Sequence, residues 1–138
     1  MKHDYDIVIA GGGLAGLTLA CALAPTGARM AVIEASPPQA DRPPSFDDRA
    51  IALAHGSRLI FEGIGLWDGI APCATPIRKI HVSERGRFGF THLDATEEQV
   101  PALGYVAPAR DLGRALMARF DATGITHLRP ARLVDFNI

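Results

Sequence analysis

The chain has 138 residues, 48% hydrophobic and 21% charged, with a net charge of −1. That is the balance of an ordinary globular domain with a single core, and it lacks the lysine- or arginine-rich cluster that a nucleic-acid partner requires. The longest apolar run falls far short of the ~18 residues of a membrane span, and the two cysteines, Cys21 and Cys73, have neither metal-ligand spacing nor the number for a disulfide framework. A protein of the reducing cytoplasm, without a structural metal, is the expectation.

The first predicted element is a short apolar strand in Asp6-Ile7-Val8-Ile9-Ala10, read as buried on both faces. Gly11-Gly12-Gly13-Leu14-Ala15-Gly16 follows, a G-x-G-x-x-G spacing that turns the strand sharply into a helix. Gly11 permits the turn, Gly13 leaves room for a ligand against the backbone, and Gly16 allows close helix–strand packing. The helix runs from Leu14 to Ala24, with Leu17, Ala20 and Leu23 facing inward and Gly27 behind its end. A second strand, Arg29 to Ile33, delivers Glu34, 23 positions after Gly11 and close to the separation of about 20 expected of a ribose-binding carboxylate. Strand, glycine turn, helix, strand and acid in this order are a dinucleotide-binding βαβ unit, with the diphosphate on the helix N-terminus and the ribose on Glu34. The acid would repel a 2′-phosphate, so the adenosine half of NADP is not expected here. Lys2 and Ala22-Leu23-Ala24 imitate a secretory signal, but Asp4, Asp6 and the triple glycine do not suit one.

The proline-rich segment from Ser36 to Asp48 reads as a surface connection within a continuing domain. Arg49 to Leu53 leads into a helix over about 56–62, with Leu59 and Ile60 facing inward, broken by Gly63 and Gly65. Leu66, Trp67 and Ile70 form a short turn on the core. A hairpin follows, with strands over Ile77 to Ser83 and Phe88 to Leu93 and a turn at Glu84 to Arg87. Ala109 to Ala122 is an amphipathic helix carrying Leu112, Leu116 and Phe120, closed by Gly124. Ile125 to Leu128 and Leu133 to Phe136 are strand candidates. The fold class is therefore α/β, a Rossmann-like unit with a parallel sheet plus an antiparallel hairpin. His55 and His81 have no partner at ligand spacing and read as structural.

Several segments resemble the N-terminal part of the class A flavoprotein aromatic hydroxylases, within them the ubiquinone-biosynthesis branch of 2-polyprenyl-6-methoxyphenol hydroxylases. They are Tyr5 to Ile9 with Gly11 to Leu17, Ala31 to Glu34, Asp48 to Leu53 with Gly56-Ser57, Gly63 to Trp67, Cys73 to Ile77 and His81 to Gly86. The resemblance implies that Gly11, Gly12, Gly13, Leu14, Ala15 and Gly16 hold the FAD pyrophosphate, Glu34 the adenosine ribose, Arg49 the pyrophosphate and ribityl region, and Arg110 a further flavin-side position. A guanidinium suits such oxygens through paired hydrogen bonds. It further implies NAD(P)H as reductant, oxygen transfer to a lipophilic polyprenylated phenol, peripheral contact with the inner membrane, and association with other ubiquinone-biosynthesis proteins. No catalytic residue is assigned by it.

Members of that family are far longer and carry, later in the chain, a Gly-Asp motif and an intermediate Asp-Gly motif, neither of which the resemblance places among these residues. On this reading residues 1–138 are the N-terminal part of a single FAD-binding domain, with the substrate region starting around 77–105, and the chain alone is inactive. Two alternatives stand beside it. One is another FAD oxidoreductase, such as an amine oxidase, which would leave Asp48-Arg49-Ala50 and the hairpin without a role. The other is a non-catalytic dinucleotide-binding remnant.

Overall fold

The computed structural model describes residues 4–37 and 49–136. Strand β1 (Ile7–Ala10) pairs in parallel with β2 (Met30–Ile33), and β2 with β8 (Thr126–Leu128), giving a three-stranded parallel sheet of order β1-β2-β8. Parallel neighbours need a crossover, and helix α1 (Leu14–Leu23) supplies the first one. It buries Leu17, Ala20 and Cys21, whereas Leu23 is only partly covered; a short 3-10 turn, Ala24–Thr26, then ends at Gly27 in the left-handed region (φ 73°). Helix α4 (Ala109–Asp121) lies against α1 and buries Leu112, Leu116 and Phe120, the positions its four-residue spacing predicts.

Strands β1 and β2 are tied together at their beginnings. Asp6 accepts from the backbone N–H of Arg29 at 2.9 Å and forms a two-pronged ion pair with its guanidinium at 2.6 and 3.1 Å, aligning the starts of β1 and β2. The expectation of a first strand buried on both faces is corrected: Ile9 is buried, but Val8 is 50% exposed. The reason lies in the order of the sheet. Among the described residues β1 is an edge strand, and its Ile9 face is the one turned to α1: a Cβ built on Gly16 would stand 3.4 Å from Ile9 Cγ2. Leu133 to Phe136 form no strand, and Leu133, Val134 and Phe136 are exposed with no neighbouring strand among the described residues.

Contacts divide the chain into two compact units, Met1–Asp48 with Ala109–Ile138, and Arg49–Pro108. The second unit holds an antiparallel sheet, β3 (Ala50–Ala54), β7 (Gly104–Pro108) and β4 (Thr75–Ile77), with β7 central. Strand β7 has no counterpart among the sequence expectations, although Gly104-Tyr105-Val106-Ala107 carries β-favouring residues between a glycine and a proline. Gly104 is required there, since a Cβ would meet the Leu53 carbonyl oxygen at 2.5 Å. Helix α2 (His55–Gly63) and helix α3 (Trp67–Ile70) cover this sheet, and Leu66 and Ile70 are buried as expected.

Leu59 and Ile60 are not inward; they are 49% and 57% exposed. Helix α2 instead turns His55, Arg58 and Phe61 toward its surroundings, one every three residues. The Arg58 guanidinium lies 5.6 Å from the centre of the Trp67 ring, and its terminal nitrogen donates to Glu62 at 3.0 Å. The hairpin forms as predicted, β5 (Lys79–Ser83) with β6 (Phe90–Asp94), its connection closed by Arg87 N–H donating to the Glu84 carbonyl.

Candidate dinucleotide site

The glycine turn sits at the carboxyl end of β1, the end at which open α/β sheets bind ligands. Gly11 holds φ at 109°, a conformation closed to most side chains, and its N–H donates to the Ile33 carbonyl at 2.8 Å, tying the turn to the end of β2. Gly16 is pressed against the same turn: a Cβ on it would collide with the Gly11 carbonyl oxygen. This is the close helix–strand approach that the third glycine of the motif was expected to allow. Helix α1 opens from Gly13 with no side chain capping it, so the N–H groups of its first turn, from Leu14, Ala15 and Gly16, point out with the positive end of the helix dipole behind them.

Glu34 is fixed from every side. Its N–H donates to the Leu128 carbonyl at 2.9 Å, and its carbonyl accepts from Ala131 at 2.8 Å. Its carboxylate accepts from Gly12 N–H through Oε2 and from Ser36 N–H through Oε1, both at 2.8 Å. The Ser36 bond above all, with Gly12 and the nearby His127 adding to it against partial burial, pulls its pKa below the ordinary 4.5, so the group is an anion at neutral pH. Each oxygen retains acceptor capacity beyond its one backbone bond. The acid and the glycine turn, 22 residues apart in sequence, are thus one hydrogen-bonded assembly.

His127 completes the wall behind the turn and was not singled out by sequence reasoning. It pairs with Val32 across β2 and β8, its ring stands edge-on to Phe120 at 5.2 Å, and a Cβ on Gly12 would lie 3.0 Å from its Nε2. That nitrogen is buried and has no hydrogen-bond partner, and burial pushes the ring's pKa below 6.5, with Arg129 acting in the same direction. Only the register of β8 against β2 brings it here, so the one signal available was the strand prediction over Ile125 to Leu128.

The arrangement fits the diphosphate and ribose of an adenine dinucleotide. The turn is open where a side chain on Gly11 would project, α1 presents uncommitted donors, and the anchored acid stands at its rim. Arg110 is exposed in the first turn of α4, with its guanidinium 4.0 Å from Asp111. Arg49 is exposed immediately before β3, in the other compact unit, and Asp48 lies outside the described residues. A cleft of about 400 Å³ lined by Tyr5, Arg29 and Thr126 lies at the opposite, amino-terminal ends of the parallel strands. No group of three or more His, Cys, Asp or Glu is placed to hold a metal among the described residues. No helix there is long and apolar enough to cross a membrane.

Comparison with known proteins agrees with this geometry. Residues 4–137 match the FAD binding domain family. The chain belongs to that family. It is 38% identical over 129 residues to the ubiquinone hydroxylase UbiL of Rhodospirillum rubrum, covering 93% of this chain and 30% of that protein. It is 34% identical over 138 residues to the 3-demethoxyubiquinol 3-hydroxylase of Escherichia coli, covering 96% and 34%. Among solved structures, the OxyS anhydrotetracycline hydroxylase of Streptomyces rimosus superposes with a TM-score of 0.69 at 28% identity, covering 91% of this chain and 24% of that one. The chain therefore spans about a third of the length of the curated relatives it matches. The FAD-binding assignment accords with the expected α/β class and cofactor.

Proposed function

We propose that this FAD-binding chain is the cofactor-gripping part of a flavin-dependent hydroxylase acting on a polyprenylated phenol in ubiquinone biosynthesis. The observation that carries the reading is the Gly12–Glu34 hydrogen bond, which holds a glycine turn and a ribose-type acid as one preformed cradle. The names of the two ubiquinone-pathway relatives support the substrate class.

In this reading the N–H groups at the start of α1 bind the diphosphate, and Gly11 and Gly16 keep the backbone close enough to reach it. The Glu34 carboxylate accepts from ribose hydroxyls, and its charge rejects a 2′-phosphate. Arg49 and Arg110 supply cations toward the phosphates and the flavin side. When bound, FAD would supply oxygen activation with NAD(P)H as reductant. Residues around 77–105 begin the substrate region of what is one FAD-binding domain. The isoprenoid tail of such a substrate brings a cytoplasmic protein to the surface of the inner membrane, beside other enzymes of the pathway.

These residues alone hold mainly the adenosine diphosphate half of the cofactor, so the purified 138-residue chain is expected to bind FAD without hydroxylating. The test is titration with FAD followed by an assay with NAD(P)H and a prenylated phenol. Saturable FAD binding without phenol-dependent NAD(P)H consumption is the expected result. A protein with no affinity for FAD contradicts the cofactor role, and hydroxylated product contradicts the inactivity of the isolated chain.

A further inference from the structure

The hairpin in the second unit carries a constellation that the dinucleotide site does not use. His81 and His92 are direct cross-strand partners in the β5–β6 register, and their rings meet with Nδ1 of His81 2.6 Å from Nε2 of His92. This corrects the expectation that His81 has no partner: the partner is 11 residues away in sequence, at a distance only the hairpin register reveals. Both rings are exposed. Phe90 stacks on His81 with centroids 5.6 Å apart and leans on His92 at 5.0 Å. On the same face, Lys79 pairs with Asp94 at 3.1 Å, and the Asp94 carboxylate also accepts from Thr96 N–H at 2.9 Å, so that carboxylate is already committed.

We propose that His81 and His92 form a two-histidine site for a divalent transition-metal ion of the copper–nickel–zinc class. Imidazole nitrogen is the characteristic ligand of these ions. In the present pair one ring donates its N–H to the other's lone pair, so one nitrogen at the meeting point carries a proton. Moving that N–H to the other nitrogen of the same ring, a change of tautomer with no net loss of protons, turns both converging atoms into lone-pair donors. A square-planar ion bound at about 2 Å from each nitrogen sets them roughly 2.9 Å apart. The nitrogens therefore need to separate by only a few tenths of an ångström, and each ring must turn by roughly 45° so that its lone pair points at the ion instead of at the other ring. Both are side-chain rotations of exposed rings, with no change of backbone register. Water fills the remaining positions of such a two-ligand site. Copper(II) binds most tightly on the general order of divalent affinities.

The test is titration of the purified chain with copper(II) chloride alone, by calorimetry and by electron paramagnetic resonance. It is done in a His3→Ala background, because a free amino terminus with histidine in third position chelates copper by itself. The expected result is one equivalent bound with nitrogen hyperfine structure, weakened at least tenfold by His81→Ala and by His92→Ala, and unchanged by His55→Gln. The variants His81→Asn and His92→Gln, which keep a polar side chain on the strand, serve if either alanine variant loses its native circular dichroism. Absence of saturable binding, or equal binding by the doubly substituted chain, overturns the proposal.

Discussion

Gly16 and Gly56 separate two kinds of glycine. A methyl on Gly16 would sit inside the Gly11 carbonyl oxygen, so either α1 must lift off β1 or the turn must deform. Gly16→Ala is expected to cost about 2–3 kcal/mol, typical of overpacking, and to abolish FAD binding. Gly56, near the start of α2, has nothing within 4 Å of a built Cβ and no positive φ. Gly56→Ala should be neutral or stabilising by up to ~1 kcal/mol. Urea denaturation of the two variants measures both. Equal effects would show that the close contact at Gly16 is not a constraint.

Two residues at the glycine turn also set a pH dependence. Glu34 has a folded pKa below 4.5, so the folded state holds its proton less tightly than the unfolded chain does. Its contribution to stability is therefore complete above about pH 4.5 and is lost as the pH falls through the lowered value. His127 is depressed below 6.5 for a different reason, burial, but the sign is the same: its contribution is complete above pH 6.5 and erodes below it. Stability should thus decline in two stages on acidification, and His127→Gln should remove the upper one. Thermal melts between pH 7.5 and 4 check this; a flat profile from 7 to 5 in the native chain would contradict it.

At the scale of elements, helix α4 shows what periodicity can and cannot deliver. Its four-residue spacing of Leu112, Leu116 and Phe120 gave the buried face directly, because one face packs on α1 and the opposite one meets solvent. Leu116→Ala, at a position 1% exposed, is expected to destabilise by about 3 kcal/mol, within the range for buried leucines. Chemical denaturation followed by far-UV circular dichroism measures it. A loss below ~1 kcal/mol would mean that α4 is loosely packed. Helix α2 is the counterexample. Leu59 and Ile60 looked inward by hydrophobicity, yet the covered face runs through Phe61 and the stem of Arg58, which lies over Trp67. Strand β7 was illegible for a related reason: its five residues form a central strand only through partners at both β3 and β4, tens of residues earlier.

For the molecule as a whole, local chemistry was readable and long-range register was not. The glycine turn, its helix, the second strand and Glu34 lie within thirty residues, and their spacing encodes their geometry. His127 entered the same site from more than ninety positions away, and His92 met His81 through a hairpin, so neither could be paired from sequence alone. Arg49 and Arg110 were legible only through family resemblance, and both stand on exposed surface in their own units. Cofactor binding depends on the part that was most legible, the cradle between the turn and the acid. Backbone amide NMR of the isotope-labelled chain, titrated with FAD and with adenosine diphosphate, tests it most directly. Both ligands are expected to shift the amides of Gly11 to Gly16 first and most, and Glu34→Gln to weaken both about tenfold, the cost of one charge-assisted hydrogen bond. Amides of that turn left unmoved at saturating FAD would contradict it.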